Sequence, residues 1–403
     1  MRYLLGFLVC CGFTAVACSS PNTPYECGHP NPRLTADGHE VIYARAICVD
    51  EDCGWNSCNT RLVDSYLLAY DVETRARTRL PGISGFDDVS ANGEVIVYAE
   101  GSLLKIYDRE SGNTTSVDVA EFGPFLQHSS PRISDDGQVV AVTIGPPDGD
   151  YGIFLYDRAT EQIQRATTQT RTLSPSLSND GRFLGYERSP GEYGRNTEIH
   201  VLDRASGESA LVSVNSDGEP ANGRSFEPSI SRDGRFVVFR SSATDLLAPS
   251  TIPPTNSGAE VYLHDRETGA TSLLSTAADS GEPSGTVDSI IAWSKRSHAI
   301  SNDGQFVVYE SNADNIVPLE GPASATDNNV YRHDTETGRT IRVSINSLGE
   351  PTTGWNWYPS ISDDGRFITF VTDSTNLDPD DVDYDDAYLH DVRSGETSWV
   401  SRR

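Results

Sequence analysis

Seven times along the chain an apolar residue is followed by a short Ser/Thr/Asp-rich stretch, an Asp-Gly or Asn-Gly step, and a β-branched and aromatic run. The steps are Asp37-Gly38, Asn92-Gly93, Asp136-Gly137, Asp180-Gly181, Asp233-Gly234, Asp303-Gly304 and Asp364-Gly365. Leu34, Val89, Ile133, Leu177, Ile230, Ile300 and Ile361 precede them at fixed spacing, and Tyr43, Tyr98, Val142, Tyr186, Phe239, Tyr309 and Phe370 follow each Gly by five residues. Asp-Gly or Asn-Gly between apolar alternations predicts a tight hairpin with a primed turn, whose positive φ these residues tolerate. Each unit therefore opens with two antiparallel strands.

A second marker follows each hairpin: a short apolar strand ending in Asp71, Asp108, Asp157, Asp203, Asp265, Asp334 or Asp391. Five of these continue as Asp-x-x-Ser/Thr-Gly, to Gly112, Gly207, Gly269, Gly338 and Gly395. The carboxylate can accept turn N–H groups and the Gly can take a left-handed conformation, so a second hairpin is expected. Seven units of four antiparallel strands predict an all-β, seven-bladed β-propeller. Blade 1 begins with its inner strand and blade 7 ends with its outer one, so no blade is expected to be shared between the chain ends. Strand alternation puts both kinds of short turn on one face of the disc. The long connections and the links between blades fall on the other, where function is expected.

Pro228-Ser229-Ile230-Ser231-Arg232-Asp233-Gly234-Arg235-Phe236-Val237-Val238-Phe239 and Val261-Tyr262-Leu263-His264-Asp265 resemble the WD40-like, TolB-type propeller repeats. The resemblance runs from about Asn31 to Arg403 and implies the same fold. The separate N-terminal domain of TolB has no counterpart, so its translocation role is not implied. The Trp-Asp ending of true WD40 repeats is also missing.

The first residues change the picture of where this fold works. Arg2, an apolar run from Tyr3 to Val16, and Ala15-Val16-Ala17-Cys18 read as an export signal, and the last four resemble a bacterial lipobox. By that resemblance, residues 1–17 are removed, Cys18 is lipidated, 18–30 form a tether and 31–403 the propeller. Ser19 would then direct the protein to the outer membrane. A simple secretory signal cleaved near Ala17 is the alternative. Cys27, Cys48, Cys53 and Cys58 remain in an exported chain and read as two disulfides of open pairing, with a metal site as the minor rival.

With 59 acidic and 31 basic side chains among 403 residues, the formal net charge of −28 argues against nucleic acid as a partner. Part of that charge belongs to the repeated turn aspartates. The seven repeats also serve as an internal control on candidate sites. His264, His333 and His390 look like a metal cluster, yet the same slot holds Tyr70, Tyr107, Tyr156 and Leu202, which marks a packing position.

Trp55, Trp293, Trp355 and Trp357 fall in the long connections, accompanied by Arg224, Phe226, Lys295, Arg296, His298 and Tyr358. Aromatic and Arg side chains together favour contact with a ligand or partner. His298 also replaces a Pro found at Pro131, Pro175, Pro228 and Pro359. Asp381, Asp383 and Asp385 have alternating carboxylates suited to calcium, but Asp386 and Val392 break the EF-hand pattern, so an irregular site competes with a solvated acidic loop. Apart from calcium no cofactor is expected. No Gly-Lys phosphate loop, no zincin motif and no Gly-x-Ser-x-Gly step is present. The chain thus reads as a monomeric envelope lipoprotein, held to the membrane by its lipid alone, whose propeller is a platform for a protein or glycan. A propeller-mouth enzyme acting on a glycan is the alternative.

Overall fold

The computed structural model describes residues 25–26, 30–51, 59–80, 83, 86–125, 130–146, 151–169, 171–190, 196–247, 259–277, 300–313, 315–317, 328–380 and 385–402, with backbone alone at 25–26, 49–51 and 59–63. The chain is a seven-bladed β-propeller with four antiparallel strands per blade. Inner strands are Arg33–Leu34, Asp88–Val89, Arg132–Ile133, Thr172–Leu177, Ser225–Ile230 and Asn356–Ile361; in the sixth blade Ile300 bridges Val307. Second strands such as Val139–Ile144 are buried along their whole length, because neighbouring blades cover both faces. Outer strands such as Asn113–Asp118 are almost wholly exposed. Each sheet takes its strands from one contiguous stretch, so no blade is shared. Blade 1 gains a further strand, Tyr25–Glu26, which pairs with Ile47 and Cys48.

The Asp-Gly hairpins form by a different turn from the one the dipeptide predicts. Only the glycines are left-handed, Gly38 at φ 75° and Gly137 at φ 72° for example, while the preceding Asp or Asn never is. Gly137 N–H closes an unprimed turn on the Ser134 carbonyl at 2.8 Å. The Asp is selected for its carboxylate: Asp136 Oδ1 accepts from Ser134 Oγ at 2.6 Å and from Gln138 N–H at 3.0 Å, and Ser134 Oγ accepts from Val139 N–H at 2.9 Å. A Ser or Thr hydroxyl does the same in every blade, through Thr35, Ser90, Ser178, Ser231, Ser301 and Ser362.

The glycines also admit the neighbouring blade. A Cβ on Gly234 would lie 2.1 Å from the Phe183 ring, and one on Gly38 would lie 2.5 Å from Phe367. Where the second turn has no glycine, Arg75 and Glu161 take positive φ of 60° and 57° instead.

Backbone bonds between successive Asp-Gly turns link the blades around the axis. Ala36 N–H donates to Ala91, Ala91 to Asp135, Asp136 to Asn179, Asn179 to Arg232, Asn302 to Asp363 and Asp363 back to Ala36. The last of these, at 2.8 Å, crosses the seam between blades 7 and 1. There Leu34, Val41, Tyr43, Leu68 and Tyr70 of blade 1 pack with Ala387, Leu389 and Val400 of blade 7. Arg77 donates to the Trp399 and Val400 carbonyls at 2.9 and 2.8 Å. Closure is thus achieved by side-chain packing and hydrogen bonds across two complete blades.

Candidate ligand-binding face

On the turn face several arginines are engaged within the fold. Arg182, Arg235 and Arg366 make two-bonded pairs with Asp203, Asp265 and Asp391 of their own blades. Arg232 of blade 5 bonds Asp135 of blade 3 and Asp363 of blade 7, and so links three blades that are not neighbours in the ring. One layer inward, Arg33 and Asp88 stand where blades 4, 5 and 7 have Ser176, Ser229 and Ser360. Arg33 is fully buried with its Nε 3.6 Å from Asp88, and burial draws its guanidinium down to about 10.

The opposite mouth is built differently. In blades 4, 5 and 7 the inner strand bulges before a proline, and Ser174, Glu227 and Tyr358 take left-handed φ of 53°, 55° and 56°. Non-glycine residues pay for that conformation, and such strain persists only where surrounding bonds enforce it. At two of the three a carboxylate of the preceding blade does so: Glu227 N–H donates to Glu187 Oε1 at 2.8 Å and Tyr358 N–H to Glu310 Oε1 at 2.7 Å. Glu310 is itself held by Asn328 Nδ2 at 3.1 Å, and the Asn328 and Asn356 side chains bond each other's backbones at 2.7 Å.

Glu187, Glu227 and Glu310 thus gather at the mouth with Arg240, 3.5 Å from Glu227. Glu227 keeps 23% side-chain exposure. Burial pushes its carboxyl up to about 8; Arg240 opposes the rise, while Glu187 and Glu310 add to it. Burial likewise raises Glu187. The repeat held a signal for this group. The sixth residue past the turn Gly is Ala44, Ala99, Thr143 or Val371 in four blades, but Glu187, Arg240 and Glu310 in the others.

Around this mouth stand the expected aromatics. Phe226 is half-buried between Arg224, 4.8 Å from its ring centroid, and Arg240, at 5.5 Å. Trp355 and Trp357 are half-buried and stack at 6.5 Å with 22° between planes. Tyr358 is the strained residue beside them. Trp55, Trp293, Lys295, Arg296 and His298 lie outside the described residues, as do Cys18, Cys27, Cys53, Cys58, Asp381 and Asp383. Cys48 is buried in the second strand of blade 1, and Asp385 precedes the third strand of blade 7. In the same acidic loop Arg402 pairs with Asp380. His264, His333 and His390 are each buried in their own blade, with Nδ1 bonded to Thr271, Thr340 and Thr397 at 2.9, 2.8 and 2.9 Å.

No protein-family model matches the sequence, and no curated protein matches it. Solved structures do share the fold. The β-propeller domain of the Trilobed protease from Pyrococcus furiosus, described as having an open velcro topology, is 11% identical, with 95% of this chain and 97% of that one covered at a TM-score of 0.57. Pyrococcus horikoshii acylaminoacyl peptidase is 12% identical at a TM-score of 0.56, with 94% of this chain covered; the match takes in 53% of the peptidase. TolB from Acinetobacter baumannii is 16% identical over 91% of this chain and 77% of its own, at a TM-score of 0.43. Among the described residues no helix is long and apolar enough to cross a membrane.

Proposed function

We propose that this is an exported, lipid-anchored envelope protein of the TolB-like propeller type, whose loop face is a rigid platform for a protein or glycan partner. The observation that carries the reading is the contrast between the faces. On the turn face Arg232 and three further arginines are each paired with aspartates, whereas at the loop-face mouth Phe226 and the Trp355–Trp357 pair are only half-buried and Arg224, over the Phe226 ring, is exposed. Large rigid aromatics with an Arg beside them suit a partner, because they bury much apolar area at little entropic cost. Trp55, Trp293, Lys295, Arg296 and His298, by their place in the sequence repeat, are proposed as further contacts of this platform. Lipidation at Cys18 and two disulfides among Cys27, Cys48, Cys53 and Cys58 complete the proposal.

Binding of the purified protein to glycan arrays and to envelope extracts tests it. Phe226→Ala and Trp357→Ala are each expected to weaken capture at least tenfold, with Arg182→Ala on the turn face unchanged. Full retention by both loop-face variants would reject the face.

One observation favours the enzymatic alternative. Burial raises the Glu227 carboxyl, to about 8, among other carboxylates, which is the direction a general acid needs. Turnover of a glycan that disappears in Glu227→Gln while binding persists would establish that reading; unaltered turnover would dismiss it.

A further inference from the structure

Six of the seven blades share one feature, supplied in blades 2 to 6 by the residue after the marker aspartate and in blade 7 by Arg332 from the third strand of blade 6. A side chain caps the carbonyl of the Asp-Gly turn glycine. Arg109, Arg158 and Arg204, each next to a marker aspartate, donate to the Gly93, Gly137 and Gly181 carbonyls at 2.9, 2.8 and 2.8 Å. Arg266 does so at Gly234, Thr335 at Gly304 at 3.1 Å, and Arg332 at Gly365 at 2.6 Å. The junction of blades 4 and 5 has every part. The Arg266 guanidinium lies 4.5 Å from the Phe183 centroid, bonds Gly234, and is attracted by Asp203, which Arg182 already holds.

The junction of blades 7 and 1 has the same parts without the arginine. Phe367 packs against Gly38 as Phe183 does against Gly234. Arg366 lies 4.3 Å from the Phe367 ring and holds Asp391, as Arg182 holds Asp203. The position of Arg266 is taken by Val72, too short to reach, and no side chain of the described residues caps the Gly38 carbonyl. The result is a pocket of about 400 Å³ with Gly38, Phe367, Asp391, Tyr70, Val72 and Glu73 in its wall. Two arginines of the chain also line the pocket, and both are engaged, Arg366 by Asp391 and Arg75 by Glu396.

We propose that this seam pocket receives the arginine side chain of a partner protein. Its guanidinium would stack on Phe367, donate to the Gly38 carbonyl and face Asp391, which reproduces the internal sites. Lysine would fit less well, since a compact ammonium cannot stack and fork at once. The chain's excess of acidic side chains favours the approach of a cation. This site lies on the turn face and does not depend on the loop-face reading.

The test is titration of the whole protein with N-acetyl-arginine amide, followed by NMR, alongside its neutral citrulline counterpart. Saturable binding of the arginine probe is expected, at least tenfold tighter than citrulline. Val72→Arg, which supplies the missing side chain from within, should abolish it and raise the melting temperature. Asp391→Asn should weaken binding about tenfold, and Trp357→Ala should leave it unchanged. Should Val72→Arg fail to fold, Val72→Trp blocks the same space and should abolish binding. Absence of saturation, equal binding of citrulline, or binding that survives Val72→Arg or Val72→Trp would overturn the proposal.

Discussion

His390 shows how a single slot carries a pH dependence. It is 3% exposed, and burial lowers its imidazole from 6.5 to about 4. A base whose folded pKa is depressed favours the folded state above its unfolded value, and that contribution is lost as pH falls from about 6.5 towards 4. At about 1.4 kcal/mol per unit, the loss is on the order of 3 kcal/mol. The slot accepts Tyr in blades 1 to 3, so His390→Tyr should fold and should flatten the acid limb of stability measured by urea unfolding at pH 4 to 7. An unchanged slope would show that other groups set it. The repeat made this slot legible as a packing position, since His, Tyr and Leu share it. The Glu187, Glu227 and Glu310 group was not read, because those residues lie far apart in sequence and meet only through the inward bulges before Pro175, Pro228 and Pro359. The charge of Glu187, Arg240 and Glu310 at an otherwise small or apolar slot was the available signal.

At the scale of the hairpin, two kinds of glycine do different work. Gly207 has positive φ but open space around its Cβ position, whereas Gly234 has positive φ and the Phe183 ring of the next blade upon it. Gly207→Ala should cost about 1–2 kcal/mol from backbone strain alone. Gly234→Ala should cost that and roughly a further 1–3 kcal/mol of overpacking. Chemical unfolding of the two variants separates the terms, and equal losses would contradict the blade contact. The dipeptide pattern located all seven turns but suggested the wrong reason for their Asp. Positive φ belongs to Gly alone, and the Asp serves a serine hydroxyl that holds the first N–H of the next strand. Ser and Thr in a polar stretch are too common for that role to stand out before the backbone is known.

For the whole molecule, the repeat fixed blade number, strand order and the division into two faces, because each unit is one local supersecondary structure. The seam was less legible. Its contacts join residues more than 300 positions apart, such as Arg77 with Val400, and no periodicity reports them. The central proposal concerns the faces: that the turn face mainly holds the ring while the loop face engages the main partner. Hydrogen exchange of the protein with a captured glycan or envelope partner tests it most directly. Protection is predicted at 224–227 and 355–358 around the channel mouth. A partner that leaves both segments exchanging as in the free protein would contradict the account.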